Sequence, residues 1–184
     1  MVGGVREEKR PTAGICHLCG GLSDAAYFER WEGMLGTRLA AADDRFVNRR
    51  ERQGRKLLME LLVLCEQRLV PTHAFTVGVL CRLVVAEMAA RNWDEAAGYA
   101  ERALTCIREL RSPQRSGNVL VAAPGDLLKA TDIWEAILIQ ALDVALSLAG
   151  RRHERESGVH KLRMASAKET AATFGLRLRD LVQV

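Results

Sequence analysis

Three apolar helical stretches, centred near residues 63, 82 and 102, follow one another with almost no chain between them. The first carries Leu57, Leu58, Leu61, Leu62, Cys65 and Leu69, a face wide enough to be buried, and Pro71 stops it. Thr72 is placed to cap the second, which runs to about Arg91 with Phe75, Val79, Leu80, Leu83, Val84 and Met88 inward. Asn92 and Trp93 make a short turn, and Asp94 and Glu95 put negative charge at the start of the third helix, where the macrodipole favours it. Along that helix Ala96, Ala100, Ala103, Ile107 and Leu110 form a narrow stripe that admits a neighbouring helix closely. Connections this short turn consecutive helices back on one another. Centres about 19 to 20 residues apart are a helical-repeat spacing, not that of a mixed fold.

The flanks extend the pattern. Apolar residues are 48% of the chain, aromatic residues only 5%, and Ala and Leu dominate, so helix formers outweigh strand formers. A first helix after Ser23 and Asp24 has Tyr27, Phe28, Trp31, Met34 and Leu35 on its apolar side, with Gly33 and Gly36 weakening its end. A charged helical segment then starts near Leu39, with Gly54 as its interruption. Residues 111–126 carry loop chemistry, with Val119, Leu120 and Val121 tucked toward the core. Asp126 caps a long helix through Leu148 that aligns Trp134, Ile137, Leu138, Ala141, Ala145 and Leu148, and Gly150 ends it. A polar helix spans about Glu154 to Thr173. The expectation is an all-α, right-handed array of six or seven helices built from antiparallel hairpins: a disordered segment 1–14, a helical domain 15–174 and a tail 175–184.

The segment from Leu80 to Leu104 resembles one tetratricopeptide-like repeat. Leu80 and Leu83 match large apolar positions of its first helix. In the second half Trp93 precedes a helix whose small packing positions are Ala96 and Ala103. Val84 stands where the family has a small residue, Glu87 where it has an aromatic, and Arg108 where it has a closing proline. Over residues 16–150 the chain also resembles the C-terminal helical region of SET and MYND domain protein-lysine methyltransferases. That resemblance rests on Cys16 and Cys19, the charged segment to Lys56, the run Leu61 to Glu66, and Asn92-Trp93-Asp94-Glu95-Ala96. Gly14 replaces a further cysteine of that family's cluster, and no SET domain or complete zinc site accompanies the match. It implies the helical module of that family without its catalytic half, so methyltransferase activity is not carried over to this chain.

Cys16 and Cys19 are the one ligand-like pair, half of a tetrahedral zinc site. Zinc is the sole cofactor candidate. His73, His153 and His160 complete such a site only if folding delivers them. Cys65, Cys81 and Cys106 lie in apolar segments and read as small buried hydrophobes. Five cysteines without a signal-like h-region favour a reducing compartment, cytoplasmic or nuclear, and no apolar run reaches membrane-spanning length. No catalytic constellation is complete, and His160 reads as a solvated helix residue.

The net charge is +4, denser at Arg45, Arg49, Arg50, Arg52, Arg55 and Lys56, and at Arg151, Arg152, Arg155, Lys161 and Arg163. Either stretch could touch phosphates, but only Phe46 among them could stack, so a nucleic-acid partner ranks below a protein partner. The leading expectation is a non-catalytic module that binds a peptide or a partner helix in a groove between stacked helices. Arg82, Arg91, Arg102 and Arg108 are its candidates to face acidic partners.

Overall fold

The computed structural model describes residues 25–69, 73–111, 114–116, 119–121 and 125–175. Within them the chain is all-α apart from one small ribbon. Seven helices run in the order α1 (Ala25–Val47), α2 (Glu51–Arg68), α3 (Ala74–Ala89), α4 (Trp93–Arg111), α5 (Gly125–Leu148), α6 (Arg152–Arg155) and α7 (Gly158–Thr173). Between α4 and α5 lie two short strands, β1 (Gln114–Ser116) and β2 (Val119–Val121). They pair antiparallel, with Arg115 opposite Leu120, where the sequence suggested only a loop. A Ser-Gly-Asn run followed by three apolar residues suits a hairpin as well as a coil.

From α1 to α5 each helix packs chiefly on its sequence neighbours, α1 on α2, α2 on α3, α3 on α4 and α4 on α5, and α7 then packs past the short α6 onto α5. The α4 stripe of Ala96, Ala100, Ala103, Ile107 and Leu110 is buried throughout, as its spacing required. Leu58, Leu61, Leu80, Leu83, Ile107, Leu138 and Leu146 fill the core between helices. Each such side chain contributes about 1.5–3 kcal/mol by leaving water. Helices two apart are tied by ion pairs: Arg82 of α3 donates to Asp43 of α1 at 3.0 Å, and Arg102 of α4 pairs with Glu66 of α2. Both pairs are half-exposed, so each is worth well under about 1 kcal/mol.

Three helix ends share one hydrogen-bond pattern. After α1, Arg49 N–H donates to Phe46 O and Arg50 N–H to Arg45 O. After α3, Arg91 N–H donates to Met88 O and Asn92 N–H to Glu87 O. After α5, Gly150 N–H donates to Ser147 O and Arg151 N–H to Leu146 O. Each is a Schellman motif, with the residue after the cap in the left-handed region: Arg49 at φ 57°, Arg91 at 61° and Gly150 at 77°. A structural repeat of helix, tight turn and helix thus recurs three times. The sequence hides it, because glycine occupies the left-handed position only once.

Several boundaries move for this reason. α1 runs unbroken through Gly33 and Gly36, where an added Cβ would meet nothing within 4 Å, and the chain breaks instead at Asn48–Arg50. Gly54 does not interrupt α2. It is buried there, and an added Cβ would lie 2.8 Å from the Phe46 ring, so the glycine serves close packing of α1 on α2. The cap of α3 is His73, whose Nδ1 accepts from Phe75 N–H at 3.1 Å. The polar C-terminal helix is split: α6 ends at Arg155, and Ser157 caps α7 by accepting from His160 N–H at 3.2 Å. Leu148, aligned with the inward stripe of α5, is exposed. Ser23, Asp24, Thr72, the 1–14 segment and most of the 175–184 tail lie outside the described residues.

Candidate functional site

Glu87 is the buried charge around which the site is built. It falls on the inward face of α3, four residues after Leu83 and seven after Leu80, and only 4% of it is exposed. An uncompensated carboxylate there would be costly. Arg55 of α2 donates its Nη1 at 3.0 Å, and Asn92 donates its Nδ2 at 2.6 Å. Asn92 also donates its backbone N–H to Glu87 O at 2.9 Å, so one residue closes the turn and clamps the carboxylate. Tyr99 of α4 lies in the same field. Burial raises its phenol pKa, and the Glu87 charge adds to the rise.

Above this cluster opens a depression of about 230 Å³ lined by Glu51, Arg52, Arg55, Ala86, Ala90 and Asn92. It brings the first turn of α2 to the last turn of α3, residues more than thirty positions apart. Arg49, Arg50, Arg52 and Arg91 are exposed and make no side-chain hydrogen bond or ion pair among the described residues. Of the four arginines marked as partner-facing, only Arg91 is in this position. Arg82 is held by Asp43, Arg102 by Glu66, and Arg108 donates to Leu104 O at 3.3 Å and Thr105 Oγ1 at 2.9 Å.

A second buried polar cluster lies between α5 and α7. His160 is not solvated but 6% exposed, and its Nε2 sits 3.0 Å from Asp143 Oδ1. Arg155 grips the same carboxylate with two donors, Nε at 2.8 Å and Nη2 at 3.1 Å. Burial opposes ionisation of Asp143, but the hydrogen bonds and charges of Arg155 and His160 outweigh it and hold the carboxyl below its usual range. The arrangement locks α6 and α7 onto α5. A further depression of about 190 Å³ between α5 and α7 is lined by Arg111, which holds Asp132 at 2.6 Å and also pairs with Glu135, and by Arg163, which makes no side-chain hydrogen bond or ion pair among the described residues.

Each basic stretch is part paired and part open: Arg55 and Lys56 are paired in the first, and Arg152, Lys161 and Arg163 make no side-chain hydrogen bond or ion pair among the described residues in the second. Arg151 is drawn onto Glu154, with Glu101 at 3.7 Å and Asp94 at 3.9 Å, and Arg155 onto Asp143. The stretch from Arg49 to Arg52 stays open. Cys65 is buried, and its thiol is pushed up to about 12 by burial and the neighbouring Glu66. Cys81 is pushed up to about 12 by burial, and burial likewise raises Cys106. Cys81 and Cys106 are part-buried rather than sealed. None of the three is a ready thiolate nucleophile or ligand. Cys16 and Cys19 lie outside the described residues. Among the described residues no three His, Cys, Asp or Glu side chains gather as a metal site. Among them, too, no helix is long and apolar enough to cross a membrane.

No family model matches this chain, and no curated protein or solved structure matches it. Glu87 and Asp143 escaped the sequence reading, although each carried a signal: a lone carboxylate on the apolar face of a helix, which needs a cationic or amide partner to be buried.

Proposed function

We propose that this protein is a non-catalytic interaction module that binds a peptide or a partner helix on the surface of a tetratricopeptide-like array of helical hairpins. The observation that carries this reading is the threefold occurrence of helix, Schellman turn and helix, stacked so that from α1 to α5 each helix leans on its neighbours in sequence. Such arrays are quasi-one-dimensional, and their repeated units lay out an extended surface rather than one enclosed pocket. The two depressions described above are open and polar, and each is bounded by side chains from more than one helix. Peptides and helices are the ligands that open inter-helix surfaces accommodate.

Panning a random peptide library on the immobilised protein, followed by calorimetry of the enriched sequences, tests the reading. Enrichment of a shared motif with saturable, one-to-one binding is the expected outcome. A selection that enriches nothing above an empty support would remove the module reading altogether.

A further inference from the structure

We infer that the corner formed by the α1–α2 turn, the start of α2 and the α3–α4 turn is an acidic-peptide site, in which Arg52, Arg55 and Arg91 receive carboxylates. This rests on the interaction-module reading and names the chemistry of its ligand. The first support is the state of the arginines. Elsewhere Arg82, Arg102, Arg111, Arg151 and Arg155 are folded onto carboxylates of the chain itself, and Arg38, Arg152 and Arg163, which likewise lack a side-chain partner among the described residues, are spread over α1, α6 and α7 instead of gathered at one corner. At this corner Arg49, Arg50, Arg52 and Arg91 have no such partner among the described residues. Arg55 lines the depression and gives Glu87 only its Nη1, its other donors making no hydrogen bond among the described residues. Glu87 fixes Arg55 in place, and a preorganised guanidinium fork is the group best shaped for a carboxylate.

The second support is where Arg49 and Arg91 sit. Both occupy the left-handed position of a Schellman turn, at φ 57° and 61°. Glycine fits that position without strain, and the equivalent turn after α5 uses it, as Gly150. Two strained arginines at matching positions of successive units aim charge outward from one end of the array. The third support selects the ligand class. Glu51 lines the depression, and Asp94 and Glu95 stand beside the α3–α4 turn, so the positive field is broken by negative charge. A continuous phosphate backbone would be repelled at those points, and no aromatic side chain lines the depression to stack a base. A peptide with spaced Asp or Glu residues meets the arginines one at a time.

The test uses a fluorescein-labelled peptide of alternating Glu and Ala, its Gln counterpart, and a single-stranded oligonucleotide of equal charge. Anisotropy is read with the full chain at two salt concentrations. The Glu peptide is expected to bind and the Gln peptide to bind at least about tenfold more weakly. Arg52→Glu combined with Arg91→Glu should lower affinity for the Glu peptide by about tenfold or more, since each lost or reversed ion pair at a rim is worth up to about 1 kcal/mol. Arg38→Glu, the same charge change on the exposed middle of α1, should leave it within about twofold. Equal binding of Glu and Gln peptides, tighter binding of the oligonucleotide, or equal losses from Arg38→Glu would each overturn the proposal. Because Arg52 and Arg91 are exposed, the double variant should keep the wild-type circular dichroism. A helical content below wild type transfers the decision to Arg91→Gly, which removes one guanidinium and should weaken Glu-peptide binding about threefold; unchanged binding there also overturns the proposal. Peptides enriched by panning that carry no Asp or Glu would sink this proposal and leave the module reading standing.

Discussion

The turn after α3 and the turn after α5 close with the same two backbone hydrogen bonds but treat charge in opposite ways. After α5 the left-handed residue is Gly150, and the arginine that follows, Arg151, folds back onto Glu154 with Glu101 and Asp94 within 4 Å. After α3 the left-handed residue is Arg91, exposed and strained, and the residue that follows is Asn92, which holds Glu87. One turn is relaxed and consumes its cation internally. The other is strained and leaves its cation in water. The backbone pattern alone does not require an arginine at position 91, so the difference lies in what each turn presents to the outside.

The comparison breaks most sharply at Arg55. Arg55→Met leaves Glu87 buried with only Asn92 for a partner, and stability should fall by about 2–4 kcal/mol, read by urea denaturation. The double variant Arg55→Met, Glu87→Leu should recover most of that loss, because burying neither charge is close to neutral. A small loss in the single variant would show that the carboxylate reaches water and that the α3–α4 turn is not anchored by charge.

The corresponding anchor on the other side is Asp143. Asp143→Asn should cost about 1–2 kcal/mol at neutral pH, with the exposed Arg155 supplying the smaller share. The sign with pH follows from the lowered carboxyl. The stabilisation is fully present above the ordinary Asp range of about 4 and is lost as pH falls through the lower folded-state value. Melting curves of wild type and Asp143→Asn should therefore converge in acid and separate above it. Curves that stay parallel down to the most acid pH would mean that Asp143 is not held ionised by Arg155 and His160.

The two turns can then be exchanged. Gly150→Arg should destabilise by about 1 kcal/mol, because a side chain is forced into the left-handed region. Arg91→Gly should do the reverse and raise stability by about 0.5–1 kcal/mol, seen as a higher Tm. A Tm gain from Arg91→Gly together with weaker acidic-peptide binding would show that the strain accompanies function.

Long periodic stripes made much of this architecture legible in advance. The α4 stripe from Ala96 to Leu110 is buried as its spacing implied, and of the α3 face Val79, Leu80, Leu83 and Val84 are buried while Phe75 and Met88 at its ends are part-buried. The helix ends were less legible. Gly33, Gly36 and Gly54 read as breaks, but all three lie inside helices, while the true break at Asn48–Arg50 has neither glycine nor proline. A helix end is decided by whether neighbouring segments can satisfy its last carbonyls and cover its apolar face, and both conditions are set by packing.

The sequence by itself determined the all-α class, the order of the long helices and most of their buried faces, because those depend on local periodicity and on the supply of Ala and Leu. Only the tertiary structure decided which charges are consumed and which remain. Arg55 meets Glu87 across thirty-two residues, Arg102 meets Glu66 across thirty-six, and Arg155 meets Asp143 across twelve. Pairing at such separations depends on how helices stack, since Coulomb and hydrogen-bond energies act through distance in space rather than along the chain. The arginines left over at the α1–α2 and α3–α4 turns are a residue of that sorting.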